Sequence, residues 1–346
     1  MKVTSTALTR EIRFSQVIGR SDRCGLDRRA AAESGSALIA VFWLIAVLSS
    51  LVVATALIVN ADIEVVVTEK NAFRASQLAE MGIAIAANPN VEEWDPILRQ
   101  SFFEGEEGFE ARIRSEAGWL NINTMLQGDP EGSDGAQILQ DLFQYWGMDL
   151  IDEAQFVINA LKDWVDEDDI PVGLSEDSGG AEEEWYLEQG FENYPFNRAF
   201  YDLDEMALVR GMDIVEAYEP RWREYFTVYS EGRVDINEAS ADLIAAMAQL
   251  DGPDDVDELI RTRNGEDEIP DTEDDYQFTS VEEALSNVTA ATDIGSIASR
   301  FSTEGSTVRI ESTGFVGDYR KRLVLVIRNR EAQPTILARE EAPIDP

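Results

Sequence analysis

Between Ser34 and Ala61 the chain carries no charged residue: 28 consecutive positions dominated by Leu, Ile, Val, Ala, Phe and Trp. A helix needs roughly 20 apolar residues to cross a bilayer core, so the run is long enough to span. It is too long for the roughly 7–15-residue core of a secretory signal, and no small-x-small site closes it. The flanking charges set an orientation. Met1–Gly35 holds seven Lys+Arg and four Asp+Glu, a net of +3, whereas everything from Ser36 onward nets −43. The positive-inside rule therefore puts the N-terminus in the cytoplasm and the acidic bulk across the membrane.

The segment does not end as a simple anchor would. Asp62–Ala87 lacks Gly and Pro until Gly82 and keeps apolar residues at helical spacing, so Val66, Phe73, Leu78, Met81 and Ile85 are expected to share a stripe. Pro89 and its neighbouring Asn residues supply a stop. One helix from about Ser36 to Ala87 would have a lipid-soluble first half and a second half that faces a globular body.

Composition narrows the chemistry of that body. With 28 Lys+Arg against 68 Asp+Glu, the net charge is −40, which repels phosphate backbones and anionic headgroups and makes nucleic acid a poor partner. The chain has no His and a single cysteine, Cys24, ahead of the apolar segment. Zinc sites, Ser-His-Asp triads, Cys-His dyads and an intrachain disulfide are thereby excluded. The expectation is a protein that is not an enzyme, and crowded carboxylates point to a divalent cation.

Phe109–Ile122 reads as a hairpin turning at Ala117-Gly118. It ends in Gly118-Trp119-Leu120-Asn121-Ile122-Asn123, and an echo follows 114 residues later, Gly232-Arg233-Val234-Asp235-Ile236-Asn237. In both places an Asx residue closes a short strand and a helical run follows. Amphipathic helices are expected within 134–222, with Gly147 and Gly211 as helix ends. Ile236–Leu285 resembles a helix-hairpin-helix module. Its hairpin, Leu250-Asp251-Gly252-Pro253-Asp254-Asp255, loses an N–H donor at Pro253 and would turn three carboxylates toward phosphate, so the shape is expected without DNA binding. "EYFTVYSEGRVDI", "STVRIESTGFVG" and "RLVLVIRNR" read as strands, with Gly317–Tyr319 as a turn.

Two acidic clusters stand out. Asp166, Asp168 and Asp169 together with Glu182 and Glu184 bracket a loop containing Pro171, Gly173, Gly179 and Gly180, which could fold both groups onto one Ca²⁺. A weaker second candidate holds Asp267, Asp271 and Asp274 in a turn-rich stretch without the EF-hand spacing.

The basic leader ending in Gly35, the small residue Ser36, the apolar run and the continuing helix resemble a type IV pilin or pseudopilin precursor. Most members carry Glu at the fifth mature position, where this chain has Ala40 and no carboxylate before Asp62. That departure, the Gly118–Asn123 run, Asp163-Trp164 with its acidic cluster, Gly180-Ala181-Glu182 and Leu203–Met212 are similar to the K-type minor pseudopilin of type II secretion systems. The resemblance implies cleavage between Gly35 and Ser36 by a prepilin peptidase, and filament packing through Ala40, Val41, Phe42 and Leu44. It also implies a tip position with other minor pseudopilins and the major pseudopilin as partners, an inner-membrane origin, and structural Ca²⁺ in the first acidic loop.

The implied fold is α+β, a pilin-like long N-terminal helix on an antiparallel sheet with large helical inserts of SAM-like or helix-hairpin-helix-like form. The expected organisation is a leader to 35, the helix over 36–88, the first part of the pilin-like body over 89–133 and a first insert over 134–222. A strand return at 223–237, a second helical block over 238–300, C-terminal strands over 301–330 and a loose tail over 331–346 complete it. A minor pilin of a type IV pilus, a signal-anchored binding or scaffold module, and a paired-carboxylate hydrolase are the alternatives.

Overall fold

A computed structural model describes residues 33–127, 134–148, 151–173, 178–270, 272, 274–288 and 294–342. Helix α1 runs over Glu33–Ala86. Among the described residues it is the one helix long and apolar enough to cross a membrane, and its most apolar stretch is wholly unburied. The chain divides at Val66/Val67 into two units. The described part of the first is helical, and its large apolar side chains from Leu38 to Val66 are all more than half exposed.

In the second unit, helix α1 buries Ala75, Leu78, Ala79, Ile83 and Ala86, with Met81 and Ile85 partly covered. Phe73, expected on that stripe, is 67% exposed and Val66 is 61% exposed. Ala75, Ala79, Gly82 and Ala86 interleave with Leu78 and Ile83 on the buried face, so the helix lies close to its sheet. A Cβ on Gly82 would come 2.1 Å from Ser312 Oγ, and one on Gly314 would come 2.0 Å from the Ala75 carbonyl oxygen. A glycine on each side of the interface, Gly82 against Ser312 and Gly314 against Ala75, sets the spacing.

That sheet contains β1 (Arg99–Phe102), β2 (Glu107–Ser115), β7 (Thr307–Val316), β8 (Tyr319–Arg328) and β9 (Thr335–Ala342). Their order is β1-β2-β7-β8-β9, antiparallel throughout. Alternation places Phe109, Ala111, Ile113 and Ile310 in the core beneath helix α1. The tail expected to be loose from Glu331 instead supplies β9, held by cross-strand pairing to β8 and by the ion pairs Lys321–Glu341 and Arg339–Glu80.

The expected hairpin at Ala117-Gly118 does not form. After β2 the chain makes a 3₁₀ turn over Glu116–Gly118, and β3 (Leu120–Asn121) leaves the sheet to pair in parallel with β4 (Phe226–Thr227). Glu116 explains the departure. Fully buried, it pairs with Arg309 of β7 (Nε to Oε2 2.7 Å, Nη2 to Oε1 2.9 Å) and accepts the Thr227 hydroxyl. A carboxylate so held pins the turn between the sheet and the first helical block.

The repeated motif marks one device used twice. In the first block Asn121 caps α2 (Ile122–Leu126), and α3 (Asp134–Tyr145), α4 (Ile151–Val165), α5 (Glu183–Glu188), α6 (Leu203–Met206) and α7 (Met212–Tyr218) follow. The block then returns on β4. In the second, β5 (Val234–Asp235) leads to α8 (Ala241–Ala248), α9 (Asp257–Arg263) and α10 (Val281–Leu285), and the chain returns on β6 (Phe301–Ser302), parallel to β5. Asn123 donates to the Phe200 carbonyl (3.0 Å) and accepts from the Phe200 N–H (2.8 Å). Asn237 does the same with Phe278, at 3.1 and 2.9 Å. Each clamped, buried Phe stands two residues ahead of a helix cap: Asp202 accepts from Glu205 N–H and Ser280 from Glu283 N–H. The two blocks share a core running from Leu120 to Phe301, distinct from the core under helix α1.

Candidate metal centre

The first acidic loop leaves the end of α4 and must return to α5 across a buried surface. Trp164 anchors that surface, stacked with Phe200 (6.1 Å between centroids, 9° between planes) and edge-on to Tyr186. Next to it Asp163 is fully buried and staples the loop at two points. Its Oδ1 accepts from Val172 N–H at 2.9 Å, and its Oδ2 from Ala181 N–H at 2.6 Å. The close approach requires Gly180, where a Cβ would lie 2.6 Å from the Val172 carbonyl oxygen and 2.9 Å from Asp163 Oδ2. Arg210 donates to the Gly180 carbonyl at 2.9 Å and lies between the rings of Phe156 and Trp185.

This staple delivers Glu182 to α4. Asp163 in the last turn of α4 and Asp166 just past its end are three residues apart, and the Asp166 N–H continues the turn by donating to the Lys162 carbonyl at 3.0 Å. One oxygen from each of Asp163, Asp166 and Glu182 lies within 4.8 Å of the other two. Glu182 is 5% exposed, and both of its carboxylate oxygens are buried without a hydrogen-bond partner, as is Asp166 Oδ1. Burial, reinforced by the charges of Asp163, Asp166, Asp168 and Asp169, pushes Glu182 up to about 8. Burial also raises Asp163 to about 6 despite the N–H groups of Val172 and Ala181, and raises Asp166 to about 6 with help from Asp163 and Asp168. Three convergent carboxylates with orphaned buried oxygens fit a hard divalent cation, which prefers 6–8 oxygen ligands.

Of the five residues expected here, the structure brings Asp166 and Glu182 together. Asp168 and Asp169 are exposed, with Asp168 Oδ1 accepting from Ile170 N–H at 2.8 Å, and their charges reach the centre without their oxygens joining the trio. Glu184 is exposed on the first turn of α5. Asp163 was not among the expected ligands. Its i, i+3 spacing from Asp166, at the end of an amphipathic helix, is the one sequence signal that could have found it.

The second acidic loop occupies the corresponding place in its own block, between α9 and the clamped Phe278. Asp274 Oδ2 accepts from Glu266 N–H (2.8 Å) and Asp267 N–H (3.3 Å), and Thr272 Oγ1 lies 2.8 Å from Asp274 Oδ1 and 3.4 Å from Asp267 Oδ1. The Thr272 hydroxyl and these N–H groups hold exposed Asp274 below the usual carboxylate range. Asp271 lies outside the described residues. Gly35 and Ser36 fall within helix α1, and Ala40, Val41, Phe42 and Leu44 are exposed on it.

A long N-terminal helix laid on an antiparallel sheet, with helical blocks inserted between the strands, defines a pilin-like α+β protein. Residues 118–229, which hold the whole first block, match the family model described as "Type II secretion system (T2SS), protein K". No curated protein sequence matches the chain. Among solved structures, a chain of the GspK-GspI-GspJ complex from the enterotoxigenic Escherichia coli type 2 secretion system shares the fold. Its TM-score is 0.54 at 15% identity, over 83% of this chain and 99% of that one. The family match and the shared fold support the K-type minor pseudopilin resemblance drawn from the sequence.

Proposed function

We propose that this protein is the K-type minor pseudopilin at the tip of a periplasmic pseudopilus, acting in type II secretion by assembly rather than catalysis. The observation that carries the reading is the protein K match over 118–229, seated in a pilin-like body. A prepilin peptidase frees Ser36. Helix α1, starting in the inner membrane with its N-terminus cytoplasmic, leaves the bilayer to pack beside other pseudopilin helices. The tip position is supported by Ala40, because a carboxylate in hydrocarbon is costly without a partner charge, and a subunit with none above it gains nothing by carrying one. The two helical blocks add width that would crowd a repeating filament.

The Asp163–Asp166–Glu182 centre holds a structural Ca²⁺ in this reading. The ion supplies positive charge where the loop turns three carboxylates inward, and Asp163 positions the loop through Val172 and Ala181. Mg²⁺ suits an irregular loop less well than Ca²⁺ does. The partners are other minor pseudopilins, as the assembly containing the structural neighbour suggests. Co-expression with the I- and J-type pseudopilins of the same host, followed by affinity capture of this chain from detergent extracts, tests the reading. Retention of both partners is expected. Recovery of this chain alone, with the partners folded and present, would overturn it.

A further inference from the structure

The outer face of the sheet, opposite helix α1, carries a concentration of guanidinium groups outside the candidate metal centre. Arg112 and Arg114 alternate along β2 with buried Ala111 and Ile113, so both point to this face, and Arg99 of β1 joins them through its register opposite Glu110. The end of α9 contributes Arg263, whose guanidinium is fixed by the carbonyls of Ala239 (2.7 Å) and Ile236 (3.3 Å), and Asn264, Pro270, Thr272 and Asp275 line the facing wall with it. Trp94 and Tyr276 close the sides while remaining 59% and 43% exposed. The enclosed cleft measures about 340 Å³.

Charge and composition both set this cleft apart. Seven of the 28 basic residues precede Ser36, leaving 21 against 64 acidic ones in the rest of the chain. The cleft lining departs from that ratio, with four arginines against Glu93, Glu238 and Asp275 and with Glu110 beside two of them. Arg114 faces Glu238 at 3.9 Å, while Arg99 and Arg112, both exposed, approach Glu110 at 3.9 and 3.5 Å. Trp, Tyr and Arg are the residue types that dominate the energetics of protein interfaces, and an exposed Trp beside a cavity offers a flat apolar wall ready for a partner. Guanidinium groups match carboxylates in planar geometry.

We propose that this cleft docks a short acidic peptide segment of a partner protein, its carboxylates on Arg99 and Arg112 and its chain against Trp94 and Tyr276. An extended polyanion is disfavoured, because the chain from Ser36 onward carries a net charge of −43 and repels a long anion. Free phosphate could use the arginines and gains nothing from the aromatic walls.

The test uses the full chain in a non-ionic detergent at low ionic strength, with fluorescence anisotropy of a fluorescein-labelled hexaglutamate peptide. Saturable binding is expected. The exposed double substitution Arg99→Ala/Arg112→Ala should weaken it about tenfold or more, the loss expected for charge-assisted contacts. Trp94→Ala should weaken it as well, and hexalysine binding to the acidic surface should be unchanged in both variants. No binding of hexaglutamate, or equal binding to wild type and the arginine variant, would overturn the proposal. So would displacement by millimolar phosphate combined with no effect of Trp94→Ala, which would reduce the cleft to a simple anion site.

Discussion

Calcium added to the metal-free protein is expected to raise its melting temperature by several degrees, and Glu182→Gln is expected to abolish that rise. An ion that binds only the folded state stabilises by about 4 kcal/mol at a thousand times its Kd. The pH dependence follows from the raised values of Glu182, about 8, and of Asp163 and Asp166, about 6. A carboxyl group whose folded pKa lies above its unfolded value contributes stability that is complete below the unfolded pKa and is lost as pH rises through the folded one. Without metal, the centre's contribution should therefore fall from about pH 4 through pH 6 to pH 8. Glu182→Gln should flatten the upper part of that fall. With calcium bound as proposed, the trend should reverse, since the ionised carboxylates would be the ligands and protons would compete below about pH 6. Thermal melts at pH 5, 7 and 8.5, with calcium or a chelator, measure all of this. A melting temperature indifferent to calcium at pH 8.5 would remove the ion from the account.

Arg309→Met is expected to be among the most destabilising single substitutions in the body. It strands the fully buried Glu116 without its bidentate partner and removes the guanidinium from above the Trp119 ring, 4.7 Å away. Breaking one side of a buried ion pair costs roughly 3–5 kcal/mol. The double substitution Glu116→Gln/Arg309→Met should recover part of that loss, because the uncompensated charge is gone and only the hydrogen bonds are missed. Urea denaturation of the two single variants and the double variant closes the cycle. If Arg309→Met costs less than 1 kcal/mol, the pair does not pin the turn that diverts β3 from the sheet.

Local pattern carried much of the fold into view. The uncharged run and the Gly-free stretch after it define helix α1, and β-branched alternation with the Gly317 turn defines β7 and β8. The echo of Gly118–Asn123 at Gly232–Asn237 proved to be a shared asparagine clamp on a buried phenylalanine. Tertiary choices stayed hidden. Phe73 looked like a core residue by spacing, but it is exposed, and the buried face runs through Ala75, Leu78, Ala79, Ile83 and Ala86. Strand β9 reads as a polar tail because its stabilisation lies in ladder pairing and ion pairs with distant residues.

The candidate metal centre was half legible for a similar reason. Sequence places Asp166 and Glu182 at the two ends of one loop, and an acidic loop offers many oxygens that look equivalent. Burial separates them. Asp163, inside a helix and beside Trp164, reads as an ordinary helix residue until the loop folds back onto it, whereas Asp168, Asp169 and Glu184 remain in solvent.

The N-terminal residue of the protein recovered from its host's membranes tests most directly whether helix α1 is a processed pseudopilin helix. The account predicts a start at Ser36 that depends on the prepilin peptidase, with the uncleaved chain accumulating when the peptidase is absent. A chain that still begins at Met1 in the presence of the peptidase, or one cut beyond Ala61, would contradict it.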